Sequence, residues 1–225
     1  MNQHFDKYSG AYDDLVASST GSLSKDGRFH RAKLECLLDR VPTAATAQRL
    51  LDFGCGIGGM TSFVADFFPS ANIVGFDPSP KSIATAQTTF PPSCKVEFCN
   101  AFPEDDRFDL ILAANVFHHI APAAREAELQ RLLGVLAPGG RLVVFEHNPY
   151  NPLTRYVVSQ CQFDEDAVLV SRSKFARLAF SCGFQVEAQA YFLFLPIRTR
   201  WTRKLDAALK GLPLGAQYML SMVTR

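Results

Sequence analysis

Four side chains that can exchange protons stand at the ends of two apolar, strand-like runs. His118 and His119 follow the first run, and Glu146 and His147 end the second. Imidazole titrates near neutral pH, so a histidine can take a proton from a hydroxyl group or a carbon acid. We therefore predict that His118, His119, His147 and Glu146 are catalytic. The alternative is structural, because a histidine can tie a loop to a backbone carbonyl and a strand-end acid can simply orient an imidazole.

A glycine-rich turn, DFGCGIGG at 52–59, joins a short apolar run to a helix-like segment. Glycine adopts positive φ at little cost and has no Cβ, so the peptide N–H groups of such a turn can approach an anion or a nucleotide. The stretch satisfies both the dinucleotide pattern GxGxxG and the (D/E)xGxGxG pattern of S-adenosylmethionine (SAM) enzymes, so the turn alone does not choose between them. Met60 follows where a Walker phosphate loop needs Gly-Lys-Ser/Thr, which excludes that loop.

Asp77 ends the second apolar run, at 72–77. An acid at this place holds ribose hydroxyls in both kinds of nucleoside site, and each such charged hydrogen bond contributes about 1.5–3 kcal/mol. We therefore predict a nucleoside ligand. A solvated loop aspartate is the plainer alternative.

The composition of the chain narrows the possible domain organisation, partners and cellular location. The chain has 225 residues, a formal net charge of +1 and six scattered cysteines. One globular domain is expected, with reduced thiols, and the near-neutral charge does not favour a polyanionic partner. The cysteines form neither a CxxC pair nor a Cys/His cluster at zinc spacing, and no metal is predicted. The polar start of the chain and the lack of a run of about 20 apolar residues favour a cytoplasmic protein.

Strand-like runs alternate with helix-like segments between residues 49 and 146, which is typical of a parallel sheet covered by helices. The last two strand-like runs are joined by a basic segment and suit an antiparallel hairpin at the sheet edge. The predicted strands are 49–53, 72–77, 95–99, 108–114, 141–146, 184–195 and 216–223. The predicted helices are 29–41, a helix from the glycine turn to 68, one starting at 79, 123–136 and 173–182, with a turn at 138–140.

The order of these motifs resembles the class I SAM-dependent methyltransferases of the small-molecule type. The resemblance rests on the glycine turn, Asp77, CNAF at 99–102, NVFHHI at 115–120 and LAPGGRLVVFE at 136–146, and it covers most of the chain. It implies a single α/β domain over 1–225, with a Rossmann-like seven-stranded sheet in the order 3-2-1-4-5-7-6, the last strand antiparallel, and helices on both faces. It also implies SAM as the cofactor.

In that family the glycine loop faces the methionine part of SAM, the strand-two acid takes the ribose, and residues after strand three take the adenine. The resemblance therefore implies these cofactor contacts: Asp52, Gly54, Cys55, Gly56, Asp77, Pro78, Asn100, Ala101, Phe102 and Asn115. Asn100 departs from the aspartate that often stands at the adenine position, although its amide oxygen can still accept from the adenine amine.

Acceptor contacts are expected from two places. Members of the family commonly build the acceptor site after strand five, here near 148–170, where aromatic residues favour an apolar acceptor. Tyr8 and Tyr12, four residues apart, belong to a predicted lid at 1–28, and packing of these rings on the sheet is an equal alternative. The predicted substrate contacts are Tyr8, Tyr12, His119, Asn148, Tyr150 and Tyr156.

The expected function is methyl transfer to a small, apolar or aromatic molecule, with O-methylation favoured over C-methylation, in secondary metabolism or in lipid or quinone biosynthesis. An NAD-dependent oxidoreductase and a catalytically silent SAM-binding module are the alternatives. No nucleic acid partner is expected, because the (N/D/S)PP(Y/F) motif of enzymes that methylate base amines is missing after residue 114.

The basic segment 198–212 carries Trp201, Leu205, Leu209 and Leu212 at helical spacing. Such a segment can lie at a lipid surface, so peripheral membrane contact is one interpretation. A short surface helix packed on the domain is the commoner explanation.

Overall fold

The computed structural model describes residues 27–90, 95–161, 164–195 and 199–225. Tyr8, Tyr12 and the first 26 residues of the predicted lid lie outside the described residues. The predictions for them therefore stay predictions.

A seven-stranded sheet with the strand order β3-β2-β1-β4-β5-β7-β6 organises the described part of the chain. The five strands from β1 to β5 are parallel, whereas β7 runs antiparallel to both β5 and β6. This confirms the predicted fold class and the late hairpin. The strands are β1 Arg49–Phe53, β2 Asn72–Phe76, β3 Val96–Cys99, β4 Phe108–Ala114, β5 Leu136–His147, β6 Phe184–Phe192 and β7 Gln217–Thr224.

Helices cover both faces of the sheet. They are α1 Arg28–Arg40, α2 Gly59–Phe67, α3 Pro80–Thr89, α4 Arg125–Gly134, α5 Pro152–Gln160, α6 Arg172–Ser181 and α7 Arg200–Leu209, and 3-10 turns include Pro42–Thr46, Phe117–His119 and Pro122–Ala124. Successive side chains of a strand point to opposite faces, so β1, β4 and β5 supply two separate cores. On one face Leu51 and Ile111 pack with residues of α4 and α6, and on the other Leu50 and Leu110 pack with residues of α1 and α2.

The central strands explain why the site lies where it does. Residues 110–113 of β4 are at most 1% exposed, because both faces of this strand are covered. Parallel strands buried on both sides read as continuous apolar runs, and their polar residues are displaced to the strand ends. The carboxyl ends of β1, β2, β4 and β5 therefore carry the polar groups.

Two local predictions differ from the structure. The turn predicted at 138–140 lies inside β5, because Phe108 pairs with Leu136 and Leu110 with Arg141, which leaves the PGG residues as a bulge with Gly139 at φ 75°. The second difference is α5, which was not predicted. Asn151 caps this helix by accepting from the Thr154 N–H, and Pro152 occupies its first turn, so the local Asn-Pro signal was present.

The basic segment forms α7 and packs on the domain. Arg203 forms ion pairs with Glu35 and Asp39 of α1, and Asp206 accepts a hydrogen bond from the Phe194 N–H. Trp201 remains 80% exposed. Across the described ranges no helix combines the length and the apolar character required to cross a bilayer. Lipid contact through 198–212 stays a prediction.

Candidate active site

The glycine turn holds its shape mainly through its own backbone. The N–H groups of Gly54 and Cys55 both donate to the Phe76 carbonyl, at 2.8 and 3.0 Å, and the Gly56 N–H donates to Asp77 Oδ2 at 2.9 Å. These three N–H groups fasten the turn to the end of β2, whereas the sequence predicted that they would face a ligand. Gly56 differs from these contacts, because it has φ 56° and open space where a Cβ would project.

The other glycines of the turn are required for packing. A Cβ on Gly54 would lie 2.7 Å from Val116 Cγ2, and a Cβ on Gly58 would lie 2.8 Å from the Phe90 ring. The close approach to Val116 places the turn against the segment that follows β4. That segment carries His118 and His119, so the glycine turn and the imidazoles share one edge of the sheet.

Asp52 supports the turn from beneath. It is 2% exposed, and its Oδ2 accepts a hydrogen bond from Thr61 Oγ1 at 2.6 Å, which ties β1 to the first turn of α2. Burial raises the pKa of Asp52 to about 6 against the opposing effect of the Thr61 hydrogen bond. Asp52 therefore holds the position of the turn, and its predicted contact with the cofactor stays a prediction.

Lys33 is a site residue that the sequence interpretation missed. It lies in α1, is 2% exposed, and interacts electrostatically with Asp52 and Glu146. Burial lowers its pKa to about 8, although the two carboxylates act in the opposite direction. The sequence did contain a signal for this burial. Lys33 stands four residues before the buried Leu37 and therefore lies on the apolar face of the helix.

Asp77 is fixed at the end of β2 by two peptide groups. Its carboxylate accepts from the Gly56 N–H and from the Ser79 N–H, both at 2.9 Å, and the residue is 8% exposed. Ser79 in turn caps α3 by accepting from the Ser82 N–H, and the half-buried Pro78 lies between Asp77 and this cap. The carboxylate is thus held beside Gly56, and its predicted contact with a ribose stays a prediction.

The residues predicted to contact adenine divide into two groups. Asn100 and Ala101, after β3, are exposed and accessible to a ligand. The Phe102 ring packs edge-on against Phe76, and the Arg131 guanidinium lies 4.1 Å from its centroid. Arg131 therefore covers one face of the Phe102 ring.

Two further predicted cofactor contacts have protein roles. Cys55 is 7% exposed and points inward against Gly75, and burial raises the pKa of its thiol far above the usual range. Asn115 adopts φ 60°, a left-handed conformation that asparagine tolerates, and its Oδ1 accepts from Gln217 Nε2 at 3.3 Å. Asn115 remains half-buried at the end of β4, beside the glycine turn.

The structure brings the predicted catalytic residues together. The His118 Nδ1 lies 2.5 Å from Glu146 Oε2, and Glu146 Oε1 accepts from the Phe117 N–H at 2.7 Å. The His118 ring centroid is 4.1 Å from that of His119 and 5.1 Å from that of His147. His118 and Glu146 are each 1% exposed, so this pair is buried while His119 and His147 are only partly covered.

Asp164 completes the cluster and was also missed. Its Oδ1 lies 3.4 Å from the Nε2 atoms of both His118 and His119. The sequence interpretation searched 148–170 for aromatic rings and passed over the acidic stretch Asp164 to Asp166. Only folding brings this stretch back to the end of β4, where the Val168 N–H donates to the His118 carbonyl.

The protonation of the cluster follows from its charges. Burial opposes a charge on His118, but Glu146 and Asp164 outweigh burial and raise the pKa of His118 to about 9. Burial and the neighbouring His118 lower the pKa of His119 to about 3 and that of His147 to about 4. Burial would raise the pKa of Glu146, but His118 reverses the direction and lowers it. At neutral pH one cationic imidazole therefore lies between two carboxylates, beside two neutral imidazoles.

The predicted substrate residues after β5 differ in exposure. Asn148 is fully buried, donates from Nδ2 to the carbonyls of Pro213 and Gly215, and accepts the Tyr150 N–H at Oδ1. Its amide therefore joins two loops, which corrects the prediction that it contacts substrate. Tyr150 and Tyr156 are 58% and 62% exposed and remain available to an acceptor.

The fold and the site define a nucleoside-binding, Rossmann-like α/β protein. Dinucleotide enzymes of this architecture have the strand order 3-2-1-4-5-6. The antiparallel β7 between β5 and β6 departs from that order and argues against the NAD alternative.

Comparisons with known proteins also favour a methyltransferase over an NAD-dependent enzyme. A family described as "Methyltransferase domain" matches residues 51–142. Trans-aconitate 2-methyltransferase from Variovorax paradoxus is 33% identical over 136 residues, 57% of this chain and 51% of that protein. Demethylmenaquinone methyltransferase from Thermus thermophilus is 33% identical over 135 residues, 57% of this chain and 58% of that protein. The chain thus spans about half the length of these curated relatives.

A solved structure of a SAM-dependent methyltransferase from Thermotoga maritima has a TM-score of 0.70 and 16% identity, and the match covers 99% of this chain and 98% of that one. It shows a shared fold for the described part of the chain. The family match over 51–142, the named relatives and the shared fold together support a SAM-dependent methyltransferase, with SAM as the cofactor.

Replacement of Asp77 by alanine is expected to weaken SAM binding at least about tenfold, or about 1.4 kcal/mol, because the variant loses the carboxylate beside Gly56. Isothermal titration calorimetry measures this change. Asp66→Ala, an exposed acid on α2, is the matched control. An unchanged dissociation constant in a folded Asp77→Ala variant would contradict the ribose assignment.

Lys33 should make the free energy of unfolding increase with pH in the alkaline range. Its pKa is lowered from 10.5 to about 8, so between these values the unfolded chain binds more protons than the native one, and stability rises with pH. Lys33→Met should remove this rise, which amounts to about 3 kcal/mol across the window. Urea unfolding from pH 7 to 10.5 measures it, with the exposed Lys174→Met as control. If the free energy of unfolding rose equally with pH in wild type and in Lys33→Met, the lowered pKa of a buried lysine would be refuted.

Proposed function

We propose that this protein transfers a methyl group from SAM to an oxygen atom of a small, apolar or aromatic acceptor. The observation that supports this most is the cluster of His118, His119, His147, Glu146 and Asp164 on the same sheet edge as the glycine turn. A methyltransferase acting on a hydroxyl needs its acceptor aligned in a water-poor site, with a group nearby to take the proton. The cluster supplies such groups beside the place where the cofactor would lie.

The turn and the strand ends fit the cofactor. Gly56 has open space where a Cβ would be, the Asp77 carboxylate is fixed beside it, and Asn100 and Ala101 are exposed after β3. These residues would hold the methionine, ribose and adenine parts of SAM in that order. When bound, SAM supplies a methyl group on a sulfonium, which leaves as a neutral thioether when a nucleophile takes the methyl.

Glu146 and His118 have a positioning role. Glu146 is held by the Phe117 N–H and binds the Nδ1 side of His118, so the imidazole cannot rotate. The buried pair then sets the positions of the two partly covered imidazoles that face the acceptor side. Fixing these groups before substrate arrives lowers the entropy lost on reaching the reactive geometry.

His147 is the best-placed group to take the acceptor proton. In the described part of the chain no hydrogen bond engages its ring, it is half-buried at the end of β5, and burial keeps it neutral at pH 7. As the acceptor oxygen forms its bond to the methyl carbon, the hydroxyl proton passes to an imidazole nitrogen of His147 and from there to solvent. A carbon acid could lose its proton to the same group, so C-methylation remains the second choice.

The acceptor class is supported by two observations. Tyr150 and Tyr156 expose aromatic rings on the segment after β5. Among the relatives, the names specify trans-aconitate, demethylmenaquinone and 2-methyl-6-phytyl-1,4-hydroquinone as the molecules acted on. We favour an aromatic or quinol-like hydroxyl over an aliphatic acid, because these exposed rings would pack against an apolar ring system.

Incubation of the protein with methyl-labelled SAM and an extract of the source organism tests this proposal. Label is expected in a small organic-soluble molecule, and mass spectrometry then identifies the methylated atom. Defined hydroquinones and phenols, with trans-aconitate as the acid comparison, form the second arm. Tight SAM binding without transfer to any of these would favour a silent SAM-binding module instead.

His147→Asn should lower kcat about 100-fold, because the variant removes the proton acceptor while keeping a polar side chain of smaller size. Its dissociation constant for SAM should stay at the wild-type value, since His147 lies outside the glycine turn. Gln160→Ala, an exposed change on α5, serves as control. Full activity of His147→Asn would exclude the assigned role.

A further inference from the structure

Three side chains in the cluster bring their donor atoms close together. The Nε2 atoms of His118 and His119 each lie 3.4 Å from Asp164 Oδ1, and the three donor atoms all lie within 4.8 Å of one another. A separation of 3.4 Å exceeds the usual 2.7–3.2 Å of an N–H···O hydrogen bond. Donors about 2.1 Å from a tetrahedral metal ion are about 3.4 Å apart, so the spacing suits ligands of one ion.

We propose that His118, His119 and Asp164 bind a divalent transition-metal ion of the zinc type. This departs from the sequence analysis, which predicted no metal because it looked for cysteine and histidine spacing along the chain. Here two ligands are adjacent in sequence and the third lies about 45 residues later, so only the fold assembles them.

The orientation of His118 supports the proposal. Glu146 lies on its Nδ1 side and binds the N–H there, so Nε2 is the nitrogen that faces Asp164, and release of the Nε2 proton on metal binding would direct its lone pair at the ion. A metal-bound histidine commonly donates its second ring N–H to a carboxylate, and this contact fixes the tautomer and the ring plane. Glu146 has the place of that supporting carboxylate, and the Phe117 N–H holds it in turn.

The donor set indicates the class of ion. Two imidazole nitrogens and one carboxylate oxygen suit zinc and neighbouring transition metals, whereas Mg²⁺ and Ca²⁺ prefer oxygen ligands. The side chains of His119 and Asp164 are 14% and 13% exposed, so the site borders solvent, and an ion bound by three side chains would take water or an acceptor oxygen as its fourth ligand. This is the ligand count of a catalytic zinc site.

Metal binding at these residues does not depend on the proposed methyl transfer, but a catalytic use of the metal rests on it. A bound ion would coordinate the acceptor hydroxyl and make its proton more acidic. His147 is not one of the three ligands and would still take that proton.

Titration of chelator-treated protein with Co²⁺ alone tests the site. One equivalent should produce visible absorption bands of the intensity typical of four-coordinate cobalt, and added Zn²⁺ should abolish them by displacement. His119→Ala and Asp164→Ala should each weaken Co²⁺ binding at least about tenfold, and Glu146→Gln should do so about 10- to 100-fold by releasing His118. Glu165→Ala, an exposed acid next to Asp164, should bind as wild type does.

Absence of the cobalt bands in wild type, or unchanged binding in a folded Asp164→Ala variant, would overturn the metal site. Urea unfolding of each variant establishes that it is folded, and the partial exposure of His119 and Asp164 favours this. The labelled-SAM assay is read separately. Cobalt binding without methyl transfer would refute the proposed function alone, and transfer without cobalt binding would refute the metal site alone.

Discussion

The buried carboxylate of Glu146 is the interaction on which the acceptor side of this structure depends. A charge that is 1% exposed is costly unless hydrogen bonds and an opposite charge compensate it. Both oxygens are engaged, one by the Phe117 N–H and one by His118 Nδ1. Because Glu146 ends β5 while Phe117 and His118 follow β4, this compensation joins two neighbouring strand ends. The positions of His119 and Asp164 follow from it through their contacts with His118.

A second buried charge system lies beneath the glycine turn. Asp52 is tied to Thr61 at the start of α2, and Lys33 of α1 supplies positive charge to both Asp52 and Glu146. Lys33 therefore connects the cofactor side and the acceptor side electrostatically, from the helix that also packs under β1. Such charges rarely remain in a core for stability alone, since apolar residues of the same size are often as stable.

Backbone groups mainly shape the cofactor side of the site, whereas side chains shape the acceptor side. On the cofactor side, peptide groups of the turn and the Asp77 carboxylate hold one another, so the shape exists before any ligand binds. On the acceptor side, side chains from β5, from the turn after β4 and from the 164–170 segment converge. Contact between Gly54 and Val116 joins the two sides, which explains why a larger residue is not accommodated at position 54.

The strand order was predicted from the resemblance of the motifs to a known family. Local patterns in the sequence predicted the parallel sheet, the late hairpin, the glycine turn and the gathering of His118, His119, Glu146 and His147 at one sheet edge. These depend on apolar periodicity and on the rule that polar groups gather at the carboxyl ends of parallel strands, both of which are local signals. Tertiary structure alone decided that Asn148 joins loops, that Lys33 lies under the site and that Asp164 completes the cluster. These facts arise from contacts between residues far apart in the chain, where burial and charge compensation outweigh any local pattern, so neighbouring residues in the sequence carry little trace of them.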